Sequence, residues 1–279
     1  MISFPNGKIN IGLHVIRKRA DGYHDLETIF YPIAVRDVLE ISPAGRLQLH
    51  LSGIRIEGEQ RDNLCIRAYQ LLKSDFPDLP PIDIHLHKNI PMGAGLGGGS
   101  ADGAFLLQLL NMRYDLQLSK SALIEYASRL GSDCPFFILN QPCFAKARGE
   151  ILEAISIDLE GYAFVLLHPG IKISTEAAFS MISPSGKESR LKSLIGKPIH
   201  SWKNEIVNEF EEPVIKAYPA LRGIKTRLYE AGAVYASMTG SGSSFYGIFE
   251  KQDLPKKDFF DNYPVPINSD FFSSSMIFQ

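Results

Sequence analysis

Apolar and polar residues alternate along Ile82-Asp83-Ile84-His85-Leu86-His87, which predicts a strand with one buried face. The same period in Ile9, Ile11, Leu13 and Val15 predicts a strand near the N-terminus and sets Lys8, Asn10, Gly12 and His14 on its other face. A lysine and an asparagine two residues apart, beside a glycine, make a polar shelf with room above it. Further strands are predicted at 29–31, 38–42, 47–52, 144–146, 162–167, 233–238 and 245–249. Helical spacing places Leu64, Ala68, Leu71 and Leu72 on one helix opened by Asp62-Asn63. A second, with Leu123, Ile124, Ala127 and Leu130, is opened by Ser119 and stopped by Gly131 at C′. Helices are also predicted from Ser174 through Phe179, over 202–210, and from Pro219 through Tyr229 with Gly232 as stop. The last two strands form a hairpin around Thr239-Gly240-Ser241-Gly242-Ser243-Ser244. Six small residues exceed what a tight turn needs, so something bulky should pass close to that backbone. Residues 183–189 are a polar loop, and the tail from Pro255 is poorly patterned.

One stretch interrupts this pattern: Lys88-Asn89-Ile90-Pro91-Met92-Gly93-Ala94-Gly95-Leu96-Gly97-Gly98-Gly99-Ser100-Ala101-Asp102. Five glycines in seven positions add no apolar surface; they permit positive φ and close backbone approach. A strand precedes the stretch, and Ser100 as N-cap, followed by Ala104, Phe105, Leu107 and Leu110, opens a helix after it. That order aims unpaired N–H groups and the positive end of a helix dipole at one point, which suits a polyphosphate. A flexible linker would not be bracketed by a strand and a capped apolar helix. Gly93, Gly95 and Gly98 satisfy the G-x-G-x-x-G spacing of dinucleotide-binding folds. The strand before them alternates, however, where a central parallel strand should be apolar throughout. No G-x-x-x-x-G-K-[ST] occurs, nor do H-R-D or D-F-G.

Composition narrows the class. At 279 residues and 45% hydrophobic content, the chain reads as an ordinary globular protein of two domains. With 29 basic and 31 acidic residues the formal net charge is −2, so no basic field recruits nucleic acid or anionic lipid. No apolar run approaches the ~18 residues of a spanning helix. The N-terminus lacks a signal-peptide core, so a cytoplasmic protein is expected. Cys65, Cys134 and Cys143 fit no zinc spacing and are expected as buried free thiols. His85 and His87 share a strand face without a third ligand nearby, so no metal site is expected there.

Two more places carry candidate chemistry. Asp133 lies in Ser132-Asp133-Cys134-Pro135-Phe136-Phe137, between a helix stop and a proline, as either a poorly solvated acid or a turn or cap residue. Tyr23 and His24 at a strand entrance suit stacking on a heterocycle and hydrogen bonding to it, or simple half-burial.

With these residues assembled, the chain resembles the GHMP kinases. The N-terminal strand, the loop from Pro91 to Ala101 and Thr239-Gly240-Ser241-Gly242-Ser243 occur in the family's order. Lys8-Ile9-Asn10, Arg19-Ala20-Asp21-Gly22-Tyr23-His24, Gly97-Gly98-Gly99 and Gly131-Ser132-Asp133-Cys134-Pro135-Phe136 are similar to one branch. That branch takes a cytidine diphosphate-linked polyol as acceptor in the non-mevalonate isoprenoid pathway. The likeness runs from about residue 3 to about residue 250. It implies an α+β, two-domain GHMP kinase fold with the active site in the cleft between the domains. The first, over 1–153, would be ribosomal protein S5 domain 2-like and bind ATP; the second, over 154–279, would be ferredoxin-like α/β.

The resemblance also implies roles. Asp133 matches the family's catalytic base and Lys8 its catalytic lysine. Pro91, Met92, Gly93, Ala94, Gly95, Leu96, Gly97, Gly98, Gly99, Ser100 and Ala101 would bind ATP, with Asn63 and Lys88 near its base. Tyr23 and His24 match the cytidine-recognising pair, Phe179 the second aromatic sandwiching the cytosine. Asn10, Thr175, Gly240, Ser241 and Gly242 complete the substrate side. Mg²⁺ would accompany ATP, with no protein-held metal or prosthetic group, in a monomer or weak homodimer. Gly7 replaces the family's alanine, Lys146-Ala147-Arg148 a more glycine-rich turn, and 183–198 matches poorly. Three alternatives stand beside this reading. A GHMP kinase for another small alcohol, such as mevalonate or homoserine, would not need Tyr23, His24 and Phe179. A non-catalytic nucleotide-binding protein would not need both Lys8 and Asp133. An NAD-dependent oxidoreductase fits the alternating strand poorly.

Overall fold

Each strand predicted from the apolar pattern has a counterpart in the computed structural model, which describes residues 1–184, 186, 189–256 and the backbone of 277–278. The strands are β1 (Ile2–Ser3), β2 (Asn6–Lys18), β3 (His24–Arg36), β4 (Val38–Pro43), β5 (Gln48–Gly53) and β6 (Ile82–Lys88). They continue with β7 (Cys143–Lys146), β8 (Ile151–Ala154), β9 (Tyr162–Leu167), β10 (Tyr235–Met238), β11 (Phe245–Glu250) and β12 (Ile277–Phe278). The helices are α1 (Leu64–Asp75), α2 (Gly98–Arg113), α3 (Lys120–Leu130), α4 (Cys134–Leu139) and α5 (Thr175–Ser180). After them come α6 (Leu191–Leu194), α7 (Trp202–Glu205), α8 (Glu211–Ala217) and α9 (Ile224–Glu230). The chain forms two compact units, both discontinuous in sequence. The first comprises Met1–Lys8, Val35–Met92 and Gly97–Gln141; the second Ile9–Ala34, Gly93–Leu96 and the chain from Pro142.

In the first unit the sheet order is β1-β4-β6-β5, with β4 antiparallel and β5 parallel to β6. The parallel pair needs a crossover, which the α1 segment supplies. Alternation then decides the core: Ile82, Ile84 and Leu86 are at most 1% exposed, while His85 and His87 face out. Asn63 Oδ1 caps α1 by accepting from Cys65 N at 2.9 Å, and Ser119 Oγ caps α3 by accepting from Ala122 N at 3.2 Å. Two end signals differ from expectation. Gly131 has an extended φ of 175°, so α3 ends without a left-handed C′ residue. The helix after the glycine stretch starts at Gly98 with Gly97 as N-cap, which puts Ser100 inside its first turn.

The second unit holds the sheets β2-β3-β7-β8 and β10-β11-β9-β12. Phe210, Val214, Leu221, Ile224 and Leu228 share one core with Met238, Phe245 and Phe249. The predicted helix over 202–210 stops at Glu205. Leu13 N donates to Val207 O and Glu209 N to Leu13 O, both at 2.9 Å, so pairing with β2 wins over helical continuation. α8 follows, with Pro213 in its first turn, where a missing N–H costs nothing. Gly223, at φ +90°, divides the helix predicted from Pro219 into a 3₁₀ turn and α9. The hairpin is as predicted, with Met238 opposite Phe245. The poorly patterned tail falls largely on 257–276, outside the described residues, as do 185, 187 and 188 of the polar loop.

The polar shelf on β2 is not open. Lys8 and Asn10 are 4% and 2% exposed, and a Cβ on Gly12 would meet Leu191 at 2.7 Å and Ile206 at 2.8 Å. The face is filled residue by residue, and His14 pairs with Glu209 at 3.2 Å. Cys65, Cys134 and Cys143 are buried free thiols, and burial pushes Cys134 up to about 12. Among the described residues no helix is long and apolar enough to cross a membrane.

His168 gives one testable consequence of this packing. Its ring lies 3.0 Å from Ser244 Oγ, and burial depresses its pKa to about 4. The unfolded chain therefore binds the extra proton, so this contribution to stability is complete above the unfolded value of about 6.5 and is lost as pH falls through the folded value. Between pH 7 and pH 4, wild type is expected to lose about 3 kcal/mol more unfolding free energy than His168→Gln, read from urea titrations.

Candidate active site

The glycine stretch takes the backbone that its composition permits. Gly93, Gly95 and Gly97 have φ of 67°, 77° and 71°, a region side chains disfavour. At Gly95 a second reason operates: a Cβ there would fall 2.1 Å from Thr239 O. Thr239 Oγ1 also donates to Gly95 O at 3.1 Å. The bulky neighbour expected near the small residues 239–244 is thus the chain's own glycine loop. Gly97 caps α2 without any side-chain bond, so the first-turn N–H groups of a 16-residue helix are left to water or a ligand. Around Gly99 an added Cβ would meet only the flexible end of Met92.

A buried charge cluster fixes both ends of this loop. Lys88, at the end of β6, is 1% exposed and ion-paired with Asp37 and with Asp102, the latter at 2.6 Å. Asp37 Oδ1 also accepts from Asn89 N at 2.6 Å and Ile90 N at 2.8 Å, where the chain leaves the strand. Asp102 stands on the first turns of α2, so one ammonium links the loop's entry to its exit. Burial pulls the Lys88 ammonium's pKa down, but the two carboxylates more than offset it and leave it raised. Burial likewise raises the Asp102 carboxyl to about 8, against the attraction of Lys88, and its Oδ1 has no hydrogen-bond partner. Lys88, expected near the ATP base, is therefore an internal anchor; Asn63 spends its side-chain oxygen on capping α1. Sequence reading missed Asp37 and Asp102. The one local signal was an acid among the small residues that open an apolar helix.

Lys8 and Asp133 come together as expected: Nζ lies 3.5 Å from Oδ2, with side-chain exposures of 5% and 33%. Asp133 occupies the N-cap position of α4, yet its carboxylate caps nothing, which leaves it available for chemistry. Asn140, closing α4, donates to Asn6 Oδ1 at 2.8 Å and so ties the helix carrying the acid to the strand carrying the lysine. Phe137 and the Lys8 stem pack where a Cβ on Gly97 would sit, at 2.9 Å and 3.2 Å. The pair and the start of α2 are thereby neighbours within the first unit.

The expected acceptor residues lie in the second unit. Asn10 is committed internally: its Nδ2 donates to Thr28 Oγ1 at 2.9 Å, and its backbone N to Thr239 Oγ1 at 3.0 Å. Asn208, unforeseen in the sequence, holds the hairpin loop by donating to Met238 O and Gly240 O, each at 2.8 Å. Tyr23 is 55% exposed, with the Arg148 guanidinium 5.0 Å above its ring. His24 and Phe179 stack directly on one another, centroids 4.6 Å apart and 14° from parallel. Phe179 also meets Phe210 edge-on at 4.9 Å. Burial, aided by Lys18, lowers the His24 pKa and keeps the imidazole neutral. Thr175 is exposed at the first turn of α5, which Ser174 caps.

Residues 63–141 match the family model described as GHMP kinases N terminal domain, and residues 190–258 that described as GHMP kinases C terminal. The chain is similar to the 4-diphosphocytidyl-2-C-methyl-D-erythritol kinase of Bacteroides fragilis, 49% identical over 93% of this chain and 96% of that one. The enzyme of the same name from Azobacteroides pseudotrichonymphae is 52% identical, covering 91% and 96%. Among solved structures, a 4-(cytidine 5'-diphospho)-2C-methyl-D-erythritol kinase superposes with a TM-score of 0.78 at 30% identity over 96% of both chains. Methanococcus jannaschii mevalonate kinase, at 14% identity and a TM-score of 0.66 over 94% and 93%, shares the fold. The two family models fall in the two halves of the chain, and the first spans the glycine loop and Asp133. The chain belongs to the GHMP kinases.

Proposed function

We propose that this chain transfers the γ-phosphoryl group of ATP to the 2-hydroxyl of 4-diphosphocytidyl-2-C-methyl-D-erythritol. The observation that carries the reading is the 3.5 Å approach of Lys8 to Asp133 in a chain 49% identical over 93% of its length to a kinase of that name. Main-chain N–H groups of the glycine loop and the α2 terminus bind the β- and γ-phosphates, which the absence of a side-chain cap favours. Asp133 accepts the proton of the attacking hydroxyl, and Lys8 offsets charge on the phosphoryl group in flight. Mg²⁺, arriving with ATP, neutralises charge on the phosphates; no side chain is assigned to it. Tyr23, exposed under Arg148, and neutral His24 recognise the cytidine end, and Thr175, Gly240, Ser241 and Gly242 the remainder. Energy from binding that distant end is spent on in-line orientation of the hydroxyl. The enzyme works in the cytoplasm as a monomer or weak homodimer, with ATP and the polyol as its partners.

The test is ADP release over a panel of acceptors containing the cytidine diphospho-methylerythritol, mevalonate, homoserine and galactose. Turnover is expected with the first alone; preference for mevalonate or homoserine would assign the chain to another GHMP activity. Tyr23→Ala is expected to raise KM for the cytidine acceptor about tenfold or more, the worth of one stacked ring, and to leave KM for ATP unchanged. Equal loss on both substrates would make the ring structural.

A further inference from the structure

The solvent face of the first unit's sheet carries a cluster that phosphoryl transfer does not use. β5 and β6 run parallel in a register that sets His50 beside His85 and Gln48 beside Asp83. Asp83 and His85, two residues apart, share a face, so three donors from two strands converge. Their ligand atoms all lie within 4.8 Å of one another. The two imidazoles stack with centroids 4.5 Å apart, and His50 Nε2 is 3.6 Å from Asp83 Oδ1. The expectation that His85 lacks a further ligand looked along β6 to His87; the partner comes from the neighbouring strand.

We propose that His50, Asp83 and His85 bind a divalent transition-metal ion of the zinc class. Two imidazole nitrogens and a carboxylate oxygen are the donors such borderline ions prefer, whereas Mg²⁺ and Ca²⁺ select oxygen alone. A tetrahedral ion with bonds of ~2.0 Å needs its donors ~3.3 Å apart, which side-chain rotation reaches from the present spacing. The backbone ladder between β5 and β6 fixes where the three side chains start, so little order remains to be imposed. Gln48 Nε2 donates to Asp83 Oδ1 at 2.9 Å and steadies the carboxylate, as outer partners of metal ligands do. Glu40, across from His85 on β4, adds negative charge to the same face. Three protein ligands leave a coordination position for water. Because β5 is the edge of the sheet, the ion would clip an edge strand to its neighbour and stabilise the folded chain.

The test titrates Zn²⁺, and separately Co²⁺, into the chelator-treated full-length chain without nucleotide. Calorimetry is expected to show one site per chain, and Co²⁺ to develop visible bands of a nitrogen- and oxygen-ligated ion. His50→Ala and His85→Ala should each weaken binding at least tenfold, while His87→Ala, on the same face but outside the triad, should bind as wild type does. Zn²⁺ should raise the thermal midpoint of wild type and not that of His50→Ala. Should an alanine variant fail to fold, Asp83→Asn and His50→Gln carry the comparison. Equal affinity in wild type and His50→Ala, or loss through His87→Ala alone, would overturn the assignment.

Discussion

Asp133→Asn is expected to lower kcat by roughly 10²–10⁴ while leaving ATP affinity near that of wild type, the usual loss when a positioned base is removed. Asparagine keeps the size and the place at the head of α4 but cannot take the hydroxyl proton. Because Asp133 caps nothing, the substitution removes no helix-cap bond, and any fall in the thermal midpoint reports the lost pairing with Lys8. The split between turnover and nucleotide affinity separates a chemical role from a structural one. Stopped turnover in a folded variant with an unchanged nucleotide affinity assigns the carboxylate to the reaction; an unchanged kcat removes it.

Lys88→Met is expected to be the most destabilising single change near the site, costing about 3–5 kcal/mol in denaturant unfolding, because it removes the ammonium that bridges the buried Asp37 and Asp102 side chains. The loss should fall on the glycine loop first, since Asp37 and Asp102 hold its two ends. Asp102→Asn behaves differently. A carboxyl held up to about 8 contributes stability that is complete below its unfolded value and is lost as pH rises through the folded one. Wild type should therefore lose stability progressively between about pH 4 and pH 8, and the asparagine variant should lose less over that range. A flat wild-type profile would contradict the charge state assigned to the cluster.

Local pattern carried the strands because their burial is periodic: Ile82, Ile84 and Leu86 alternate whether or not their partners are known. It failed where a distant segment competes for the backbone. Residues 206–209 have acceptable helical composition, yet Leu13, far away in sequence, takes their hydrogen bonds. Caps divided in the same way. Asn63 and Ser119 act through their own side chains and were legible, whereas Gly97 displaced Ser100 through a backbone angle that the run of glycines left ambiguous. Lys8 and Asp133 were each weak signals that gained force only from the family resemblance, and the structure adds their proximity. Lys88 shows the converse. Its partners lie 51 and 14 residues away, so nothing nearby distinguished an internal anchor from a nucleotide contact. Nor does any local pattern indicate that the rings of His24 and Phe179 stack on each other.

A main-chain phosphate cradle and the Lys8–Asp133 pair are proposed to move a phosphoryl group onto one hydroxyl of a cytidine-bearing polyol. Phosphorus NMR of the mixture of enzyme, Mg²⁺-ATP and 4-diphosphocytidyl-2-C-methyl-D-erythritol tests it directly. One new phosphomonoester is expected, coupled to the carbon framework at the 2-oxygen, formed in equal amount with ADP and absent with Asp133→Asn. ADP accumulating without that resonance, or a phosphomonoester at another oxygen, would contradict it.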